Sequence, residues 1–480
     1  MTFTTLTYLL FFCVVFAGYW SLKSRTHQNA LLVVASYFFY GWWDFRFCAL
    51  MMFSSLVDYT ITLAIANTEA PRRRKLLMLT SCFINFGLLG FFKYYDFFAT
   101  SAREAFALAG VHLDDFTLNV VLPAGISFYT FQTMSYTLDV YRRKMNAYRG
   151  LFDYLAFVSF FPHLVAGPIM RAIDFLPQFR SERRFDRELA VDGCRQVLWG
   201  VVKKLSLADN LAKVVDLAYR DPHAFTGPQL AFATLCFSLQ IYCDFSAYAD
   251  IATGSAKLLG FRLARNFAYP YFSQSPAEFW RRWHITLSTW FRDYVYWPLG
   301  GSRVGPARRA FNVLVTFVLS GLWHGASYNF IIWGGLNGLA VLPSLLRDEG
   351  ERRGVREVPG GESNVPRLAT LARMLATFVF ICFTWIFFRA ATLEEASYIV
   401  RKIALEVWQP GKYGGLTLGS SVWLLFLPFL LTEWLRRREL HPLAGLGAPS
   451  WVRLALYTVL LWGALFLSPG SSSPFIYFQF

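Results

Sequence analysis

From Phe311 to Leu346 the chain carries no Asp, Glu, Lys or Arg, and its one readily titratable side chain is His324, within Ser320-Gly321-Leu322-Trp323-His324-Gly325. A single helix over this run would be about 50 Å long, against about 30 Å of bilayer hydrocarbon. The run therefore has to break or turn back, and Gly321, Gly325, Gly334, Gly335 and Gly338 are the places where it can. Backbone broken at membrane depth persists only where protein encloses it or where it lines a wet cavity. His324 thus falls where a polar chamber inside the bilayer is expected, and an ionisable group there is a candidate for function. The alternative is an imidazole satisfied by neighbouring carbonyls.

Other apolar runs of spanning length recur along the 480 residues, and charged residues make up only 16% of the chain, against roughly 25% in an ordinary soluble domain. The fold class that follows is all-α: a polytopic helical membrane protein of about 11 spans, with re-entrant and interfacial helices. A barrel is excluded, because barrel strands alternate polar and apolar residues over about ten positions. The opening segment, Thr2 to Trp20, lacks a basic leader and a small-residue cleavage site, and reads as a retained span.

The formal net charge of +15 would suggest nucleic acid in a soluble protein. Here the Lys and Arg residues gather in short links between apolar runs, so the expected partner is membrane lipid and no nucleic acid. The same cationic face suits an anionic cytosolic substrate, and charge alone leaves both open. Seven cysteines, mostly within apolar runs and without CxxC pairing, read as inert buried thiols rather than disulfides or a metal site.

Spans are expected near 2–20, 29–43, 46–66 and 76–92, with the basic link Pro71-Arg72-Arg73-Arg74-Lys75 cytoplasmic and the N-terminus outside. Residues 96–116 read as a helix on the outer interface. Apolar stretches at 118–141 and 151–168 are interrupted by Pro123, Gly125, Pro162 and Pro168. Residues 171–204 read as a basic cytoplasmic excursion, and 228–252 as a span holding Asp244 and Asp250, whose carboxylates need partners or water. The segment 347–367 reads as a cytoplasmic loop, followed by spans near 369–388, 420–435 and 451–468. Charge parity then puts 474–480, a short aromatic tail, on the outer side. With no separable linker, residues 1–480 read as a single integral membrane domain.

A second informative stretch is Glu278-Phe279-Trp280-Arg281-Arg282-Trp283-His284-Ile285-Thr286-Leu287-Ser288-Thr289-Trp290-Phe291-Arg292. On one helix, Trp280, Trp283, Leu287 and Trp290 share a side, which by composition favours a membrane-anchoring interfacial helix. The functional alternative sets Arg281, Arg282 and Arg292 on the diphosphate of a cytosolic cofactor and His284 near the chamber. His163, before a Gly-Pro break, is a further candidate for the chamber lining. Nucleotide loops, GxSxG elbows and HExxH pairs are absent.

Taken together, Trp323-His324-Gly325, the run Glu278 to His284, and Tyr294-Val295-Tyr296-Trp297-Pro298-Leu299-Gly300-Gly301 resemble the membrane-bound O-acyltransferase family, in its bacterial alginate O-acetyltransferase-like branch. Phe161-Pro162-His163-Leu164-Val165-Ala166-Gly167-Pro168-Ile169, Tyr242-Cys243-Asp244-Phe245-Ser246-Ala247-Tyr248, Asn266-Phe267-Ala268-Tyr269-Pro270-Tyr271 and Phe475-Ile476-Tyr477-Phe478-Gln479-Phe480 extend the likeness over nearly the whole chain. A departure is His163, where many members carry Gln.

The resemblance implies helices enclosing a central chamber and transfer of an acetyl group from acetyl-CoA, a donor substrate rather than a permanently bound cofactor. The acceptor would be an exopolysaccharide hydroxyl across the bacterial inner membrane, reached through a periplasmic SGNH-hydrolase-like partner. It further implies His324 as the essential histidine and His284 as a second one. Trp323 and Asn329 are candidates to stabilise the oxyanion, and Asp244 to line the site. Two other readings stand beside it: D-alanyl transfer from a carrier thioester to teichoic acid, and a transporter or flippase using Asp244, Asp250 and the histidines as a relay.

Overall fold

Long apolar runs without alternation can satisfy their backbone only within the segment, and the computed structural model shows helices as the only regular elements among the described residues. The structure describes residues 1–165, 167–347, 358, 361, 363–413, 420–470 and 474–478. Among the described residues five helices are long and apolar enough to cross a membrane: Arg46–Ala66, Pro71–Leu108, Gly227–Leu258, Leu368–Arg389 and Ser450–Leu467. Leu6–Ser21 and Phe426–Leu435 are shorter apolar helices.

Several expected spans change shape. Residues 95–108 are no separate interfacial helix: they continue Pro71–Leu108 through a π-helical segment, Gly90–Tyr94, that shifts register without breaking the rod. Gly125, at φ +74°, confines the next helix to Ile126–Tyr141, and a Cβ on it would meet the Leu164 carbonyl at 2.8 Å. The run at 151–168 divides at Phe160 into Leu151–Ser159 and Phe161–Leu164. The loop at 347–367 lies outside the described residues except for 347, 358, 361 and 363–367.

The chain falls into two compact units, residues 1–191 with 255–264, and residues 192–254 with 265–480. Because their segments interleave, no linker in the sequence marks the division. In the first unit a buried carboxylate, Asp58, accepts from Ser81 Oγ at 2.6 Å and Asn85 Nδ2 at 2.9 Å. The buried Arg74 guanidinium donates to the carbonyls of Ile65 at 2.6 Å and Tyr141 at 3.0 Å, closing two helix ends.

In the second unit the uncharged run folds as a helical hairpin, Pro306–His324 and Tyr328–Arg347, turning at residues 325–327. Glycines let the two backbones touch. A Cβ on Gly321 would sit 2.1 Å from the Phe330 carbonyl oxygen, and one on Gly334 would sit 2.4 Å from that of Phe317. The basic excursion at 171–204 needs correcting at its end, since Lys203 and Lys204 are buried rather than solvated. Lys203 Nζ meets Asp250 at 2.6 Å and Ser246 Oγ at 2.7 Å, while Lys204 Nζ meets Asp209 at 2.9 Å and Asp244 at 2.8 Å. The carboxylates of the helix Gly227–Leu258 thus find their cations on a different element, the π-helical segment Lys203–Ala208, as burial of charge demands.

Candidate active site

The stretch from Glu278 to Arg292 does not form one helix. It breaks at His284, whose backbone takes φ +43°, between the short helices Pro276–Arg282 and Ile285–Phe291. Left-handed backbone at a side chain larger than Asn is disfavoured and persists only where neighbours over-determine it. Residues 266–268 do so. The Ile285 amide donates to the Asn266 carbonyl at 2.9 Å, Thr286 Oγ1 donates to Asn266 Oδ1 at 3.0 Å, and the Ala268 amide donates to the Arg282 carbonyl at 3.0 Å. Between its two short helices His284 is 1% exposed.

The break also overturns the reading of an anchoring interfacial helix. Trp283 and Trp290 are buried in protein, at 1% and 3% exposure, and Trp280 Nε1 donates to Asn337 Oδ1 at 3.2 Å. Trp283 and Trp290 thus pack into protein instead of into lipid, while Trp280 is half-buried and lines the same cavity as Trp283.

His324 ends its helix immediately before the turn of the hairpin. Its ring lies 5.1 Å from Trp333, 5.3 Å from Phe388 and 5.6 Å from Tyr477, centroid to centroid, and 6.5 Å from the ring of His284. Both imidazoles line one cavity of about 280 Å³, with Arg281 and Arg292 exposed on its wall and Trp280, Leu287 and Phe317 among its apolar lining. A mostly apolar pocket with a few convergent polar groups is the form a small-molecule site takes.

The remaining candidates divide. Arg282 is buried and forms an i,i+4 ion pair with Glu278 at 2.9 Å, so it braces the short helix, unlike Arg281. Glu278 also accepts from the Gln274 amide at 2.8 Å. Trp323 packs edge-on against His324 at 4.9 Å and lies 5.9 Å from His284. Asn329 donates Nδ2 to the Ala390 carbonyl at 2.8 Å and ties the hairpin to the end of Leu368–Arg389. Asp244 receives the Ile476 amide as well as Lys204. His163 belongs to the first unit, where its Nε2 bonds to Gln132 Oε1 at 3.0 Å among aromatic rings.

Two site residues escaped the sequence reading. Tyr477 lies within ring contact of both histidines, 5.6 Å from His324 and 6.4 Å from His284. Phe245 packs edge-on against His284 at 4.7 Å and tilts against Tyr477 at 4.5 Å. The aromatic density of the tail was visible, but nothing in the sequence indicated that it returns to the centre of its unit. Among the described residues no group of three or more His, Cys, Asp and Glu side chains is placed to hold a metal ion. What the arrangement offers is two imidazoles lining a chamber with guanidinium groups on its wall, and a phenol in ring contact with both imidazoles. Such groups suit proton transfer to and from an oxygen nucleophile beside an anionic ligand.

Comparison with known proteins agrees with that chemistry. The profile described as "MBOAT, membrane-bound O-acyltransferase family" matches residues 146–349, which includes both histidines. The chain is 36% identical to a probable alginate O-acetylase of Pseudomonas putida and 34% identical to its namesake in Pseudomonas aeruginosa, each over the whole of both chains. It is 31% identical to a peptidoglycan O-acetyltransferase of Helicobacter pylori, over 99% of this chain and 97% of that one. Full-length similarity of this order places the chain: it is an acyltransferase and belongs to the membrane-bound O-acyltransferase family.

Proposed function

We propose that the protein takes an acetyl group from cytoplasmic acetyl-CoA and passes it across the inner membrane towards hydroxyls of an exopolysaccharide of the alginate class, through a periplasmic partner of the SGNH-hydrolase type. The observation that carries this reading is the shared cavity, with His324 and His284 within and Arg281 and Arg292 on its wall. The two guanidinium groups suit the phosphates of the donor, and the mostly apolar lining suits its pantetheine arm. Names of relatives support the acceptor class: alginate for two, peptidoglycan for a third.

The chemistry balances as follows. His324 takes the proton of an acceptor hydroxyl as its oxygen attacks the thioester carbonyl. The tetrahedral intermediate then collapses, the carbon–sulfur bond breaks, and the imidazolium returns the proton to the departing thiolate. A positioned base of this kind supplies roughly two to four powers of ten, and confinement of both reactants supplies much of the rest.

A second reading is favoured by the approach of Tyr477 to His324. In it the phenol is the first acceptor: its proton goes to His324, its oxygen takes the acetyl group, and CoA leaves as the thiol. The aryl ester then gives the acetyl group to a sugar hydroxyl, and the phenol is restored.

The test uses purified protein in lipid vesicles with labelled acetyl-CoA. Thiol release, with label on an oligosaccharide or on the partner, is expected. Movement of unmodified polymer without thioester turnover would replace this reading with that of a transporter, and turnover only of a carrier-bound D-alanyl thioester would replace the donor. A gain of one acetyl group on the peptide holding Tyr477, in the absence of acceptor, would select the second reading.

A further inference from the structure

Asp244 is buried and divides its carboxylate between two partners. Oδ1 meets Lys204 Nζ at 2.8 Å, and Oδ2 accepts the backbone N–H of Ile476 at 2.8 Å. Lys204 is held in turn by Asp209 at 2.9 Å, and all three side chains are at most 3% exposed. One turn of the helix Gly227–Leu258 supplies the rest of the attachment. Phe245 lies against Tyr477 at 4.5 Å, and Tyr248 lies against Phe475 at 4.2 Å. Phe475 and Ile476 are fully buried.

The same turn also reaches the other side of the site, because Phe245 contacts His284 at 4.7 Å. Positions 244, 245 and 248 therefore set the tail and the second histidine in one frame.

A buried charge cluster is poor value as plain stability, since well-packed apolar residues of similar volume hold a core as well or better. What it supplies is a single permitted geometry: a carboxylate fixed by an ammonium group accepts the amide in one place. We infer that Asp244 is a positioning residue for acyl transfer. Through its bond to the Ile476 amide it latches the C-terminal tail so that Tyr477 stands against His324. This rests on the acyl-transfer reading above. It also reassigns Asp244, which the sequence suggested as a lining residue, to a role exerted through the tail.

Four variants separate positioning from packing. Ile476→Pro removes the N–H donor without touching the charge cluster, whereas Ile476→Ala keeps the donor and removes side-chain volume. Asp244→Ala removes the acceptor, and Asp244→Asn keeps an oxygen for it. Ile476→Pro and Asp244→Ala are expected to lower kcat for transfer to acceptor about tenfold or more, the scale of one lost buried hydrogen bond. KM for acetyl-CoA should stay within about twofold, because none of the described tail residues, 474–478, lines the donor cavity. Ile476→Ala and Asp244→Asn should retain most of kcat.

A second arm does not depend on the reaction. Hydrogen exchange of the peptide covering 474–478 should be slow in the wild type and fast in Asp244→Ala and Ile476→Pro. Wild-type kcat in both of those variants, an equal loss in Ile476→Ala, or continued protection of the tail in Asp244→Ala would overturn the latch. If the wild type itself turns over no acetyl-CoA, the functional reading fails, and the exchange arm still decides for or against the latch.

Discussion

The imidazole rings of His284 and His324 face one cavity with their centroids 6.5 Å apart, although one belongs to a strained turn and the other to the end of a long helix. Two separate devices make that meeting possible. Residues 266–268 hold the left-handed backbone at His284, and the glycine-lined hairpin brings the helix of His324 back on itself.

The strained backbone at His284 separates what its side chain does from what its main chain needs. His284→Gly permits positive φ freely, whereas His284→Ala carries a penalty of roughly 1–2 kcal/mol for left-handed backbone. Both variants should lose acetyl transfer alike, by about tenfold or more if the imidazole takes part in proton transfer. Thermal unfolding in detergent should rank Ala below Gly. Full activity in both would return His284 to a packing role.

Close contact within the hairpin predicts an asymmetry among its glycines. Gly321→Ala and Gly334→Ala push a methyl group into a facing carbonyl and should destabilise the protein by about 1–3 kcal/mol, the usual cost of overpacking. Gly335→Ala has open space and should leave the unfolding temperature unchanged or raise it slightly. The measurement is thermal unfolding of the three variants in the same detergent. Equal effects at Gly321 and Gly335 would contradict the packing described.

Neighbouring arginines should behave differently. Arg281→Ala and Arg292→Ala, at exposed positions on the cavity wall, should raise KM for acetyl-CoA several-fold, on the order of 1 kcal/mol each, with little change in kcat. That effect should shrink as salt is raised. Arg282→Ala instead strands the half-buried Glu278 carboxylate and should lower stability, with the KM of the remaining folded protein near wild type. Steady-state kinetics at two ionic strengths, together with unfolding curves, distinguish the three.

Much of this was legible in the sequence. The uncharged run from Phe311 to Leu346 is too long for one crossing, so bilayer thickness requires it to break or turn back, and the structure resolves that choice as a hairpin. Carboxylates at 244 and 250 announced that they needed partners. What did not read was long-range pairing. Lys203 and Lys204 looked like the end of a solvated basic stretch, because nothing local says that a lysine will meet a buried aspartate some forty residues later. The tryptophans at 280, 283 and 290 imitated an amphipathic face, since periodicity assumes an unbroken helix and His284 breaks it. Tyr477 was hidden for the same reason as the lysines: its place by His324 depends on Asp244, which lies far from it in sequence.

The central claim is that the His324 imidazole is the base for acyl transfer, and His324→Ala tests it most directly. Acetyl transfer from labelled acetyl-CoA should fall by roughly two to four powers of ten, while the variant keeps the wild-type unfolding temperature and KM for donor within about twofold. Wild-type rates in that folded variant would contradict the claim.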